Sequence, residues 1–323
     1  MAEPSDSFKQ FDYAIRPSKQ VERKIMIEVL LGLPRGGYDL RQYRYLGFGS
    51  PFYVDFVMFH KYLFIREMVC VEWADVERRM RFNKPFKFIK LRLCPLSAYI
   101  PTMRRTKRHL VWLDYDRSLD PDILEDIDGC LNRVAAKSVL VITVDARPKP
   151  PDTGVEAQGT TAENRELLTA EAYRSWFGRY IDKTITREAI ARVHVAPLFY
   201  DVVIERIRQT LTTRGGGLRF LQIFNFFYRD GAPMWTVGGV VGTAEDEGVL
   251  RDAGVFNHPF VRTGKDYLTI SVPPLTVREK HWLDSRLDPN LTAAKLAFEL
   301  DEKLLENYRK FYKQYPTYME TLL

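Results

Sequence analysis

Apolar residues in this chain gather in short continuous runs. Five precede residue 150, at residues 43–48, 68–72, 88–93, 109–114 and 138–145. Runs of this length, rich in Val, Ile, Leu and aromatic residues, predict strands buried on both faces. Helix-like segments lie between them. Residues 18–32 place Val21, Ile25, Ile27, Val29 and Leu30 on a broad apolar face, with Ser18 as the expected N-cap after Pro17. Residues 52–64 are apolar enough for a buried helix, with Pro51 in its first turn. Strands alternating with helices predict a mostly parallel sheet covered on both sides.

Later in the chain the pattern changes. Residues 220–228 and 234–241 read as strands joined by Arg229-Asp230-Gly231-Ala232-Pro233, a tight antiparallel hairpin. Five β/α units closed by a hairpin outline the Rossmann-like class I methyltransferase sheet. A dinucleotide-binding dehydrogenase would end in a sixth parallel strand instead. Residues 146–159 are a Pro/Gly-rich loop. In residues 276–323 the spacing of Ala293, Leu296, Ala297, Leu300 and Leu304 is helical. The expected organisation is an N-terminal helical segment (1–42), an α/β domain (43–275) and a C-terminal helical extension (276–323).

The first strand ends in Gly47-Phe48-Gly49-Ser50. Missing Cβ atoms let backbone N–H groups approach a nucleotide cofactor, and a following helix N-terminus favours polar or anionic groups. Two glycines alone are a weak signal, since Phe52 stands where a third would fall. Glu72 strengthens it. A carboxylate ending the second strand accepts hydrogen bonds from ribose hydroxyls in folds of this kind.

Asp114-Tyr115-Asp116 follows the fourth strand and Asp145 ends the fifth, both at the sheet's carboxyl edge, where open α/β sheets bind ligands. Paired carboxylates there suit a general base or cofactor contact. They also suit a divalent cation, which is possible but not expected, or a cap for the helix after Asp120-Pro121. Arg16 and Lys19, at a helix start, are positioned to clasp a carboxylate or phosphate.

Composition narrows the classes. Hydrophobic residues form 46% of the chain and charged residues 28%, values of a globular protein. No run reaches the roughly 18 apolar residues of a membrane span, and the polar opening Met1–Asp6 is not expected to act as a secretory signal. Cys70, Cys94 and Cys130 lie too far apart for a zinc cage or disulfide framework, and the histidines show no metal-ligand spacing. Net charge is +6 and pI near 9.0, which permits an anionic partner without requiring one. The run Arg104-Arg105-Thr106-Lys107-Arg108-His109 reads as a solvated loop, because aromatic stacking platforms are missing there.

Taken together, several segments resemble the prokaryotic putative O-methyltransferase family. They are Arg16-Pro17-x-Lys19-x-x-Glu22-Arg23, Tyr45-Leu46-Gly47-Phe48-Gly49-Ser50 with Asp55-Phe56, and Arg81-Phe82-Asn83-x-Pro85-Phe86. Trp112-Leu113-Asp114-Tyr115-Asp116, Asp230-Gly231-x-Pro233-Met234 and Val272-Pro273-x-Leu275-Thr276 complete the set. The resemblance spans nearly the whole chain and implies S-adenosylmethionine as cofactor. It implies that Gly47, Gly49 and Ser50 shape the loop near the methionine part, that Glu72 holds the ribose, and that Ser97 and Ala98 lie near the adenine. Tyr115, Arg16 and Lys19 are further cofactor-binding candidates. Asp114, Asp116 and Asp145 are the candidate catalytic carboxylates, Asp114 beside the reactive methyl. No Asn/Asp-Pro-Pro-Tyr follows the fourth strand, so an oxygen or small-molecule acceptor is expected ahead of nucleic acid. The expected protein is a cytoplasmic enzyme, with a homodimer through the C-terminal helices as a further expectation. Two alternatives stand beside it: a catalytically silent binding module serving as sensor or partner in a prokaryotic defence or modification system, and a nicotinamide-dependent oxidoreductase.

Overall fold

The structure is a computed structural model and describes residues 16–34, 37–72, 76–149, 162–180, 185–190 and 194–316. Residues 150–159 of the Pro/Gly-rich loop and 317–323 of the C-terminal extension lie outside the described residues.

Eight strands form one sheet: β1 Arg44–Phe48, β2 Glu67–Glu72, β3 Ile89–Leu93, β4 His109–Ser118, β5 Ser138–Asp145, β6 Arg219–Asp230, β7 Ala232–Gly242 and β8 Leu268–Ile270. Their order is β3-β2-β1-β4-β5-β7-β6-β8. The first five are parallel, β7 runs antiparallel to β5 and β6, and β8 is parallel to β6. Strand β5 is buried at all eight positions, as its run Val139–Val144, rich in β-branched residues, implies. The hairpin turns on Gly231, whose φ of +99° suits a residue without Cβ.

Helices cover both faces. On one, α1 (Pro17–Leu31) and α2 (Val54–Leu63) pack over Tyr45, Trp112 and Val141. On the other, α5 (Pro121–Arg133), α6 (Ala162–Phe177) and α8 (Ala196–Arg214) pack over Leu46, Leu113 and Ile142. Short helices α3 (Glu77–Asn83), α4 (Leu96–Tyr99) and α7 (Arg187–Ile190) fill the connections, and α9 (Ala244–Asp252) follows β7. Alternation along each strand fixes which residues meet which layer: Trp112 and Asp114 face α1, whereas Leu113 and Tyr115 face α5.

Three expectations need correction. Ser18 is not the N-cap of α1: Arg16 occupies that position, Pro17 is the first helical residue, and Asp230 accepts from Ser18 N (3.1 Å) and Lys19 N (2.8 Å) across 212 positions of sequence. Strand β4 continues past Asp114 to Ser118 through an irregularity in its pairing with β5. The helical spacing of residues 293–304 is not one helix. Beyond β8 the chain forms α10 (Val277–Asp284), a 3₁₀ turn at Ala293–Lys295 and α11 (Glu302–Phe311), and α11 starts only where Asp301 caps Leu304 N. Leu283, Leu291, Leu305 and Tyr308 close a small core of their own there. Gln314 Nε2 donates to Glu28 and Lys24 Nζ to the Tyr315 carbonyl, which ties this extension to α1.

Candidate active site

The parallel strands β1, β2 and β4 are neighbours, so their carboxyl ends open on one edge. Gly47 lies in register with Cys70 of β2 and Trp112 of β4. Gly49 leaves the strand with its N–H on the Val71 carbonyl at 3.0 Å. A Cβ on Gly49 would stand 2.6 Å from both Cys70 Sγ and Met80 Cε, and 3.3 Å from Glu72 Cβ. The glycine therefore serves the chain's own packing, because α3 closes against it. Tyr53 reinforces that closure by donating from its hydroxyl to the Met80 carbonyl at 3.0 Å. Gly47 is constrained in the same way, since a Cβ there would strike the Tyr45 phenol.

The edge thus brings together Gly47, Gly49, partly exposed Ser50 and partly exposed Glu72. Ser97 and Ala98 sit exposed in α4, directly after β3. Tyr115 belongs to the opposite layer: its hydroxyl donates to Asp126 at 2.7 Å, and its ring packs against Phe48 at 4.8 Å. It backs the β1 loop but does not share Asp114's face. Asp145 is held by Arg147, which donates from both its backbone N and its Nε. Asp116 is exposed, beyond Asp114 on β4.

Below the edge lies a buried polar network that no local sequence pattern describes as a unit. Lys19 Nζ is 2.7 Å from Asp114 Oδ1 and 4.3 Å from the centre of the Trp112 ring. It is 2.9 Å from Glu22 Oε2, an oxygen held by charge without hydrogen-bond alignment. Trp112 Nε1 donates to Thr143 Oγ1 at 3.0 Å, and the Thr143 and Thr236 hydroxyls are 2.8 Å apart. The Thr236 hydroxyl donates to Glu22 Oε1. One donor order fits the chain: Trp112 to Thr143, Thr143 to Thr236, Thr236 to Glu22 Oε1. Beside it Arg23 Nε donates to Asp55 Oδ1 at 2.5 Å.

Electrostatics follow from burial. Desolvation alone would lower the Lys19 pKa, but the Asp114 and Glu22 carboxylates outweigh it and hold the ammonium above its ordinary value. Burial raises the Glu22 carboxyl above the usual range despite Lys19 beside it. Arg16 caps α1 in an extended conformation. Among the described residues no group of three or more His, Cys, Asp or Glu could hold a metal ion, and no helix is long and apolar enough to cross a membrane.

Sequence reasoning singled out Lys19, and Glu22 and Arg23 only as members of a motif. It missed Thr143 and Thr236, and gave no role to Asp55 and Asp230. The available signal was the cluster of ionisable residues inside an otherwise apolar helix, where charge must be paired to be buried. A second omission is residues 78–92, Arg78-Arg79-Met80-Arg81-Phe82-Asn83-Lys84-Pro85-Phe86-Lys87-Phe88-Ile89-Lys90-Leu91-Arg92, with seven basic and no acidic residues.

The strand order β3-β2-β1-β4-β5-β7-β6 with its reversed β7 is that of the class I S-adenosylmethionine-dependent methyltransferases. Within that class the chain belongs to the family described as "Putative O-methyltransferase", which matches residues 11–323. No protein of curated function matches the sequence. Similar solved structures include Trm1 from Pyrococcus horikoshii in complex with S-adenosyl-L-methionine, at 12% identity and a TM-score of 0.43. That likeness covers 72% of this chain and 58% of Trm1. The N-terminal domain of EvdMO1 with SAH bound is 13% identical, with a TM-score of 0.37 over 74% of this chain and 86% of that one. An O-methyltransferase family protein from Burkholderia thailandensis is 11% identical, with a TM-score of 0.36 over 68% and 56%. The fold assignment rests on the strand order, not on these overlays.

Proposed function

We propose that the chain transfers a methyl group from S-adenosylmethionine to an oxygen acceptor. One observation carries the reading: the glycine loop, Glu72 and Asp114 converge on the carboxyl ends of three adjacent parallel strands. The donor set suits this cofactor. Glu72, partly exposed beside Gly49, offers two carboxylate oxygens to a ribose diol. The cofactor would supply an electrophilic methyl on a cationic sulfur, and the carboxylates of Asp114 and Asp116 favour positive charge at that edge. Asp114, ion-paired with Lys19 at 2.7 Å, acts as an orienting anion. Asp145 is similarly neutralised by Arg147. Asp116, exposed further along β4 at the same edge, is the carboxylate assigned to take the acceptor's proton.

Calorimetric titration with S-adenosylmethionine and its demethylated product tests the cofactor. Saturable binding lost in Glu72→Ala is expected, and no heat from either ligand would overturn the reading. The capture of Asp114 and Asp145 by cations gives weight to a second one, a binding module without turnover. Binding of both sulfur ligands without methyl release to any hydroxyl acceptor would favour it.

A further inference from the structure

Strand β3 stands at the sheet edge, and α3 precedes it. Between residues 78 and 108 the chain carries eleven Lys and Arg and no Asp or Glu, against a net charge of +6 for the whole. Seven of the eleven fall on α3, its exit turn and β3. Arg78, Arg79, Arg81, Lys87, Lys90 and Arg92 are exposed. Glu77, paired with Arg81 at 2.6 Å, precedes the run, and Lys107 near its end pairs with Glu67 at 2.7 Å. Out of this basic strip stands Phe82, 88% exposed and the most exposed large apolar side chain described. Phe86 and Phe88, by contrast, stack on each other at 5.1 Å and pack against His60.

A ring of this size held in water among cations stabilises nothing in the folded chain, since burial is what makes an aromatic side chain favourable. Its neighbours restrict what it can receive. A lipid surface calls for several apolar side chains and a longer amphipathic face, whereas α3 has seven residues and one protruding ring. Dense positive charge beside a single exposed aromatic is the arrangement that tracks a phosphate backbone and stacks an unpaired base. Helix α3 also joins this strip to the site: its inward residue Met80 closes on Gly49, and its outward face carries Arg81 and Phe82. A strand lying on α3 is thus about one helix diameter, roughly 10 Å, from the glycine loop.

We propose that the α3–β3 edge binds single-stranded RNA. The choice of RNA over DNA rests on the oxygen-directed reading above, because an internal nucleotide offers a free hydroxyl only as the ribose 2′-OH. Binding itself does not depend on that reading, so the two fail separately.

The test is fluorescence anisotropy of the full chain with a labelled unstructured oligoribonucleotide, the same deoxy sequence, a duplex, and vesicles containing anionic lipid, between 50 and 200 mM salt. The expected result is binding to the single-stranded RNA at least as tight as to the deoxy strand, weakening steeply with salt. Phe82→Ala should weaken it roughly tenfold or more with the salt slope unchanged, because stacking involves no counterions. Arg78→Gln/Lys87→Gln/Lys90→Gln should flatten the log–log slope by about 2, at about 0.7 per lost phosphate contact. Both variants change exposed side chains and should bind S-adenosylmethionine as the parent does. No RNA binding, binding indifferent to both variants, preference for the deoxy strand or duplex, or binding to vesicles alone each overturns the proposal. S-adenosylmethionine binding that persists in those cases leaves the proposed function standing.

Discussion

The ammonium of Lys19 lies 2.7 Å from Asp114 Oδ1 at 3% side-chain exposure, so a helix that precedes the sheet in sequence is fastened into the sheet's carboxyl edge. This contact is made far below bulk dielectric, and it holds only while both charges are present. Lys19 offsets two carboxylates at once, Asp114 and Glu22. Removing it leaves the buried Glu22 carboxylate facing the partly exposed Asp114 carboxylate.

Lys19→Met should therefore cost about 3–5 kcal/mol in urea denaturation near neutral pH. The cost should also depend on pH. Burial raises the folded pKa of Glu22 above its ordinary value of 4.5, so protonating Glu22 favours the folded state. Its contribution is complete below about pH 4.5 and is lost as pH rises through the folded value. Without Lys19 the folded pKa climbs further, and the penalty should be larger at pH 8 than at pH 5. An equal penalty at both values would contradict the assignment of the charge to Glu22.

Asp230→Ala should destabilise the protein by about 1–2 kcal/mol, the scale of a lost helix cap. The residue accepts two N–H groups at the start of α1, which otherwise end unsatisfied at a buried helix terminus. Because α1 also carries Lys19, the same variant should weaken S-adenosylmethionine binding although Asp230 belongs to the far hairpin. Denaturation and calorimetry on one preparation check both effects. Unchanged cofactor affinity alongside lost stability would show that the cap acts on the fold alone.

The contrast between Ser18 and Asp230 shows what the sequence could and could not reveal. Strand β5 was legible to the residue because an unbroken apolar run has one outcome in a covered parallel sheet. The hairpin was legible because Asp230-Gly231 marks its own turn. That Gly47, Gly49, Glu72 and Asp114 share one edge was legible because β1, β2 and β4 are adjacent parallel strands, although β4 runs on past Asp114 to Ser118. The cap of α1 was not, because its donor helix and acceptor lie 212 residues apart. The hydroxyl chain from Trp112 to Glu22 was equally hidden: Thr143 and Thr236 read as ordinary strand residues until β5 and β7 pair and set them opposite each other. In the C-terminal extension, helical spacing at Ala293–Leu304 overstated the helix, since the tertiary partners of Leu291 and Leu305 decide where the chain turns.

Gly49→Ala should lower stability by about 1–3 kcal/mol through overpacking against Cys70 and Met80. Its effect should be partly reversed in Gly49→Ala/Cys70→Ala, which removes one of the two atoms 2.6 Å from the new methyl. Thermal denaturation of the single and double variants measures the coupling. Strict additivity would show that the methyl is accommodated elsewhere. If the glycine served only a bound nucleotide, the single variant would lose S-adenosylmethionine binding at full stability.

His109 supplies a pH dependence of opposite sign to that of Glu22. It opens β4 fully buried, with Nδ1 at 2.8 Å from the Lys107 carbonyl and Nε2 without a hydrogen-bond partner. Burial pushes its pKa down to about 4 from the ordinary 6.5. The neutral ring is thus the folded form, and the unfolded chain binds the extra proton between those two values. Stability from this group is complete above pH 6.5 and is lost as pH falls toward 4, by up to about 3 kcal/mol. His109→Asn keeps a donor for the Lys107 carbonyl but does not titrate. It should therefore lose less stability than the parent between pH 7 and pH 4, with Glu22 contributing equally to both proteins and cancelling in the comparison. Parallel stability curves for the two proteins across that interval would mean that His109 is protonated in the folded chain.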